Sequence, residues 1–286
     1  MAISKRALLI GVNLYKIAGA DLRGCVNDVR NIEPALKKYY GFKAANISVL
    51  TDYDATKSKI EKGIRDLIRG SKAGDVLYLH YSGHGSNVED TSGDEPDRRD
   101  EIMCPTDLNW KKPLTDDWLR TQFDKVKPGV NLTVVMDCCH SGTITRQIQP
   151  PDAKVINRFL PSPFDIAEME TAGKIRGKIR HPRGLKPARK SRGSVDVEVV
   201  DIPEVLITGC KSDQTSADAF IEGSYNGALT YYLVKAIAEN DGKLSYRDLH
   251  EQTLCAIKKE EYDQTPQLEG SREHLERNFL ESFATA

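Results

Sequence analysis

Apolar residues along this chain follow two alternating rhythms. Short runs dominated by apolar residues occur at Ala7–Val12, Ile47–Leu50, Asp75–Tyr81, Leu132–Asp137 and Val205–Gly209. Runs of that length and β-branched character read as strands buried on both faces. Between them the apolar positions recur every three or four residues. Val29, Ile32, Leu36 and Tyr39–Tyr40 predict a helix over Asn27–Tyr40, and Ile60, Ile64, Leu67 and Ile68 predict one over Thr56–Arg69. Leu119 and Phe123 mark the inner side of a helix over Asp116–Val126, and Leu229, Leu233 and Ile237 mark one over Asn226–Ala238. A last helix spans Ser245–Lys259, opening on a Ser245–Asp248 pair that resembles a capping box. Strands alternating with helices predict an α/β fold, its mainly parallel sheet covered on both faces.

The pattern breaks over Gln147–Val195. Pro150, Pro151, Pro161, Pro163, Pro182 and Pro187 fall there, and Lys174–Arg192 holds nine Lys/Arg and no acid. The segment divides the chain into a larger region (1–146), a basic Pro-rich linker (147–200) and a smaller region (201–286). Two kinds of reading stay open for it: a solvated, mobile linker, or a functional segment, either a processing loop or an arm over a site.

Composition narrows the class. The 286 residues are 39% hydrophobic and 29% charged with a formal net charge of −1, which argues against a general polyanion binder such as a nucleic-acid protein. No apolar stretch approaches the roughly 18 residues of a membrane span. The opening apolar run is six residues long, a buried strand and not a secretory core. Six scattered cysteines without a secretion signal suit reduced thiols in the cytoplasm.

The candidate chemistry sits at two strand ends. Val76–Tyr81 runs into Ser82–Gly83–His84–Gly85, and Leu132–Met136 runs into Asp137–Cys138–Cys139–His140–Ser141–Gly142. Parallel α/β sheets build active sites at such C-terminal ends. A thiol and an imidazole delivered there suit Cys139 as nucleophile and His84 as base. The amides of Gly85 and Cys139 are the expected oxyanion donors. Strand alternation sends Cys138 into packing; His140 is too close in sequence to present its ring to Cys139, and His80 lies deeper and reads as structural. Alternation also puts Asp137 on the side of Cys139, and Ser82 on that of His84. A carboxylate beside a thiolate makes sense if it binds a cation, and a substrate Lys or Arg is the natural one. Asp28, on the first helix, could supply a second carboxylate.

These residues resemble the metacaspases, caspase-like cysteine peptidases that cleave after Arg or Lys. The resemblance rests on the HYSGHGS and DCCHSG motifs, Leu22–Asp28, Asp116–Asp117, Gly209–Ala217 and Gln264–Gln267, and extends from about Ala7 to Leu280. It implies a caspase–haemoglobinase fold with a six-stranded sheet, and a chain divided into large-subunit-like and small-subunit-like regions. It assigns His84 and Cys139 to catalysis and Cys25, Asp28, Ser82 and Asp137 to the S1 pocket. It implies protein or peptide substrates with Arg or Lys at P1, a monomer, and no required cofactor. Calcium activation in the family would fall on Asp100, Asp116 and Asp117, but a fourth acidic position is Arg146 here, and Arg98 stands where the family commonly has Gly. Self-cleavage within the basic linker is expected. The competing readings are an inactive caspase-like scaffold and a related peptidase directed to Asn or Asp.

Overall fold

The computed structural model describes residues 3–90, 99–139, 154–163, 165–166, 197–200, 202–211 and 214–283. Thirteen strands follow in chain order: β1 (Lys5–Gly11), β2 (Ile47–Thr51), β3 (Val76–Ser82), β4 (Gly85–Glu89), β5 (Arg99–Met103), β6 (Leu114–Thr115), β7 (Asn131–Asp137), β8 (Val155–Asn157), β9 (Val197–Val199), β10 (Glu204–Thr208), β11 (Ala217–Ile221), β12 (Ser224–Gly227) and β13 (Gln267–Gly270). The main helices are α1 (Cys25–Tyr40), α2 (Lys57–Ile68), α3 (Asp116–Phe123), α4 (Ala228–Glu239) and α5 (Tyr246–Lys259).

The central sheet runs β2-β1-β3-β7-β10-β13-β9. Its first five strands are parallel, β13 is antiparallel to β10, and β9 pairs parallel with β13. Six strands were expected; the seventh, β9, comes from the end of the segment read as linker. Its pairing with β13 covers an edge that would otherwise present open backbone groups. Two small antiparallel sheets, β4-β5-β6 and β12-β11-β8, stand beside the main one.

Strand alternation splits the core into two layers. Leu77, Leu79 and Tyr81 of β3 pack with Leu132, Val134 and Met136 of β7 under α2 and α3. Val76, Tyr78 and Val135 face the other way, onto Val29, Ile32 and Leu36 of α1 and Leu229, Leu233 and Ile237 of α4. The helices begin where the sequence supplies caps. The side chains of Thr56, Thr115 and Ser245 accept the amides of Lys59, Trp118 and Asp248, each cap worth about 1 kcal/mol. Gly41, at φ +69°, closes α1 in a left-handed turn.

Chain order reverses between β2 and β3, which flank β1, so a crevice opens above their C-terminal ends. Ser82, His84, Asp137 and Cys139 all lie at that rim. Within the Pro-rich segment, residues 154–163 pack against the fold. β8 pairs with β11 through Val155↔Ala219, Ile156↔Asp218 and Asn157↔Ala217, and the chain then crosses the crevice.

Candidate active site

A fully buried arginine from that segment fills the crevice. Arg158 is 0% exposed and meets three carboxylates. Its Nη2 lies 2.8 Å from Asp28 Oδ2 and 3.0 Å from Asp218 Oδ1, and its Nη1 lies 3.3 Å from Asp137 Oδ1. Nη1 also donates to Ser82 Oγ at 2.7 Å and to the Asp137 carbonyl at 3.2 Å. The cage is held by backbone. Asp137 accepts from Ser216 Oγ and from the Thr230 amide and hydroxyl; Asp28 accepts from the Gly227 amide and Ser82 Oγ; Asp218 accepts from the amides of Arg23 and Gly24. Thr230 is in the first turn of α4, so Asp137 also sits at the positive end of that helix. Cys25, 0% exposed, lies against the same group; burial, then Asp218 and Asp28, drive its thiol pKa up against the pull of Arg158. Gly227 forms part of the wall, because a Cβ there would lie 2.2 Å from Asp137 Oδ2.

Three acids around one base leave excess negative charge in a dry pocket. Burial, then Asp137, push the Asp28 pKa up to about 7, against the pull of Arg158 and Ser82. Burial works against the guanidinium charge as well, yet Cys25, Asp137, Asp28 and Asp218 hold the Arg158 pKa above the ordinary arginine value.

The backbone of Arg158 is held as firmly as its side chain. Its amide donates to the Ser216 carbonyl at 3.0 Å. Its carbonyl oxygen accepts the Gly85 amide at 3.0 Å and the Cys139 amide at 3.2 Å, so both expected donors converge on one oxygen. The Cys139 sulfur accepts the Ser216 amide and lies 3.8 Å from the Ser216 carbonyl oxygen. Cys139 and His84 make no direct hydrogen bond; they flank the same peptide unit. His84 Nε2 donates to the Ala20 carbonyl at 2.9 Å, which leaves Nδ1 buried without a hydrogen-bond partner. Burial, aided by the charge of Arg158, lowers the His84 pKa to about 4, so the ring is neutral near pH 7 and Nδ1 can accept a proton. Two tyrosines fix its backbone. The His84 amide donates to Tyr15 Oη at 2.8 Å, and Tyr81 Oη donates to the His84 carbonyl at 2.6 Å. Gly83 is required between them, since a Cβ there would lie 2.5 Å from Tyr81 Oη.

The structure therefore brings Cys25, Asp28, Ser82, His84, Gly85, Asp137 and Cys139 to one crevice. Cys138 is buried in the layer beneath α2 and α3. His80 is buried beside Tyr78 and Thr230, its pKa lowered by burial to about 4. Among the described residues no group of three His, Cys, Asp or Glu side chains is placed to hold a metal ion. Asp100 lies in β5, while Asp116 and Asp117 start α3. Burial, then Glu101 and Asp117, raise the Asp116 pKa. Arg98, His140, Arg146 and the basic run 174–192 lie outside the described residues.

Sequence reasoning missed Asp218, Ser216, Tyr15, Ala20 and Arg158. Asp218 directly follows the Gly209–Ala217 stretch already singled out, and a third acid for a basic substrate could have been sought there. Arg158 stands alone in the apolar run Val155–Leu160, where a single charge signals a buried partner. Tyr15 and Ala20 carry no local signal, because their role comes from loop geometry.

A parallel sheet that presents a thiol and an imidazole at adjoining strand ends, above an acid-lined pocket, defines a caspase-like site. The chain belongs to the metacaspase family: residues 5–147 match the family described as metacaspase, peptidase C14 domain. It is 32% identical to metacaspase-1A of Neurospora crassa over 93% of its length, and spans only 63% of that relative. It is 29% identical to metacaspase-6 of Arabidopsis thaliana, with 97% of this chain and all of the relative covered. The crystal structure of protein GSU0716 from Geobacter sulfurreducens superposes with a TM-score of 0.68 at 27% identity, covering 98% of this chain and 99% of that one.

Proposed function

We propose that this chain is a cysteine endopeptidase that cleaves after Arg or Lys, and that its first substrate is its own Arg158–Phe159 bond. The observation that carries this reading is the seating of Arg158. The guanidinium lies among Asp28, Asp137 and Asp218 while the carbonyl oxygen accepts the Gly85 and Cys139 amides. That is how a P1 residue must lie for attack on its carbonyl carbon.

The steps follow from this placement. The Cys139 thiol passes its proton to His84, and the sulfur attacks the Arg158 carbonyl carbon. The oxygen gains the electron pair and is held by the two amides, each such donor worth roughly 3–4 kcal/mol of transition-state stabilisation. The C–N bond breaks, and His84 gives the proton to the departing Phe159 amine. Water, relieved of a proton by His84, then opens the thioester and restores the thiol. The Ala20 carbonyl holds the ring in the tautomer this needs. No step passes through a metal. We read the chain as acting in the cytoplasm as a monomer, its six scattered cysteines suiting a reducing compartment.

The test uses the full chain as wild type, Arg158→Ala and Cys139→Ala, followed by intact-mass spectrometry. Wild type should separate between Arg158 and Phe159, and neither variant should be cut there. A cut at that bond in Cys139→Ala alone in solution would end the reading.

A further inference from the structure

The chain beyond Arg158 is also bound, although an S1 pocket alone would not require it. Phe159 is 4% exposed and forms a parallel bridge with Gly85. The Leu160 amide donates to the Gly85 carbonyl at 2.9 Å, and its carbonyl accepts Ser86 Oγ. The Leu160 side chain packs on the core layer beneath α2 and α3. Further on, the Ser162 amide and hydroxyl both donate to Asp165, which is paired with Arg99 of β5. One residue thus does two jobs: the Gly85 amide faces the Arg158 carbonyl, and the Gly85 carbonyl takes the Leu160 amide.

From this geometry, and resting on the proposed peptidase activity, we propose that β4 is a substrate-reading edge for the residues after the cut. It selects protein substrates with a bulky apolar P1′ residue and an aliphatic P2′ residue behind the basic P1. The extended P1′–P2′ backbone adds to β4 as a strand adds to a sheet edge, with hydrogen bonds setting register and apolar contacts setting preference. Because the same Gly85 unit faces the reacting oxygen, good primed residues align the oxyanion donor. Their effect belongs in kcat as well as KM.

The test compares three substrates on the wild-type chain: an internally quenched peptide Val-Ile-Asn-Arg-Phe-Leu-Pro-Ser, the same peptide with Gly-Gly for Phe-Leu, and Val-Ile-Asn-Arg bearing an arylamine leaving group. A fourth peptide carries N-methyl-leucine at P2′, which keeps the side chain and deletes the amide hydrogen. The Phe-Leu peptide should exceed the Gly-Gly peptide in kcat/KM by about tenfold, equivalent to about 1.4 kcal/mol. The N-methyl peptide should lose most of that gain. Ser86→Ala should bring the two quenched peptides closer together. A Phe-Leu advantage below threefold, with all peptides cut after Arg, overturns this inference and leaves the peptidase reading standing. No cleavage of any of them overturns both.

Discussion

The acid-lined pocket and the reacting pair are neighbours with opposite characters. In the pocket, Asp28, Asp137 and Asp218 are each held by backbone amides as well as by side chains. At the reacting centre, His84 Nδ1 has no hydrogen-bond partner, while among the described residues the Cys139 sulfur meets only the Ser216 backbone and Cys210. The difference teaches how labour is divided. A pocket that must grip a charge has its carboxylates anchored to the backbone as well as to the charge they hold. The imidazole nitrogen that must exchange a proton is left without a partner, so it is open to the reaction. Buried polar atoms without partners are costly, and the two tyrosines beside His84 hold it in place despite that cost.

That contrast can be broken from either side. The largest effect should come from Cys139→Ala made together with Arg158→Ala, which drops peptide cleavage to the assay floor, while an Arg-containing peptide inhibitor with a non-cleavable backbone still binds the vacated pocket, measured by calorimetry. Asp137→Ala attacks the other side. Truncating one member of a buried, hydrogen-bonded charge cluster costs roughly 3–5 kcal/mol, so kcat/KM for Arg peptides should fall by roughly 100-fold or more. Alkylation of Cys139 by neutral iodoacetamide should fall far less, and equal losses in both assays would erase the division drawn above. Tyr15→Phe strips the His84 amide of its acceptor, a loss of about 1–3 kcal/mol, and should lower kcat about tenfold with KM nearly unchanged.

The smallest effect is on pH dependence. Asp28 has a raised pKa of about 7, so it gains a proton as pH falls through neutrality and the pocket loses negative charge. Activity on Arg peptides should therefore rise with pH through about 7, and the rise should vanish in Asp28→Asn at its lower overall rate. His84, with its pKa lowered to about 4, is already neutral across that range and cannot produce the rise. A limb near 4 in wild type would assign the control to His84 instead.

Much of the frame was legible in local pattern. The parallel sheet, both helical layers and the cap at Ser245 follow from local pattern, because burying one face of a strand or helix is a demand each segment makes by itself. Placement of the pair also follows from local rules: alternation along β7 sends Asp137 and Cys139 one way and Cys138 the other. The strand count did not follow. β9 has three residues with two exposed, and only the open edge of β13 makes a strand of it.

The chain's own letters determined which groups could react, and on which side of a strand each would stand, since those are properties of residue type and of a two-residue repeat. Only the tertiary structure decided what lies opposite them. Asp218, Ser216 and Thr230 come from 79 to 93 residues beyond Asp137, and Arg158 enters from a Pro-rich segment for which a solvated linker was one of the readings. Burial of a guanidinium depends on carboxylates converging from distant strands, and such convergence is a property of the folded chain, not of any stretch within it.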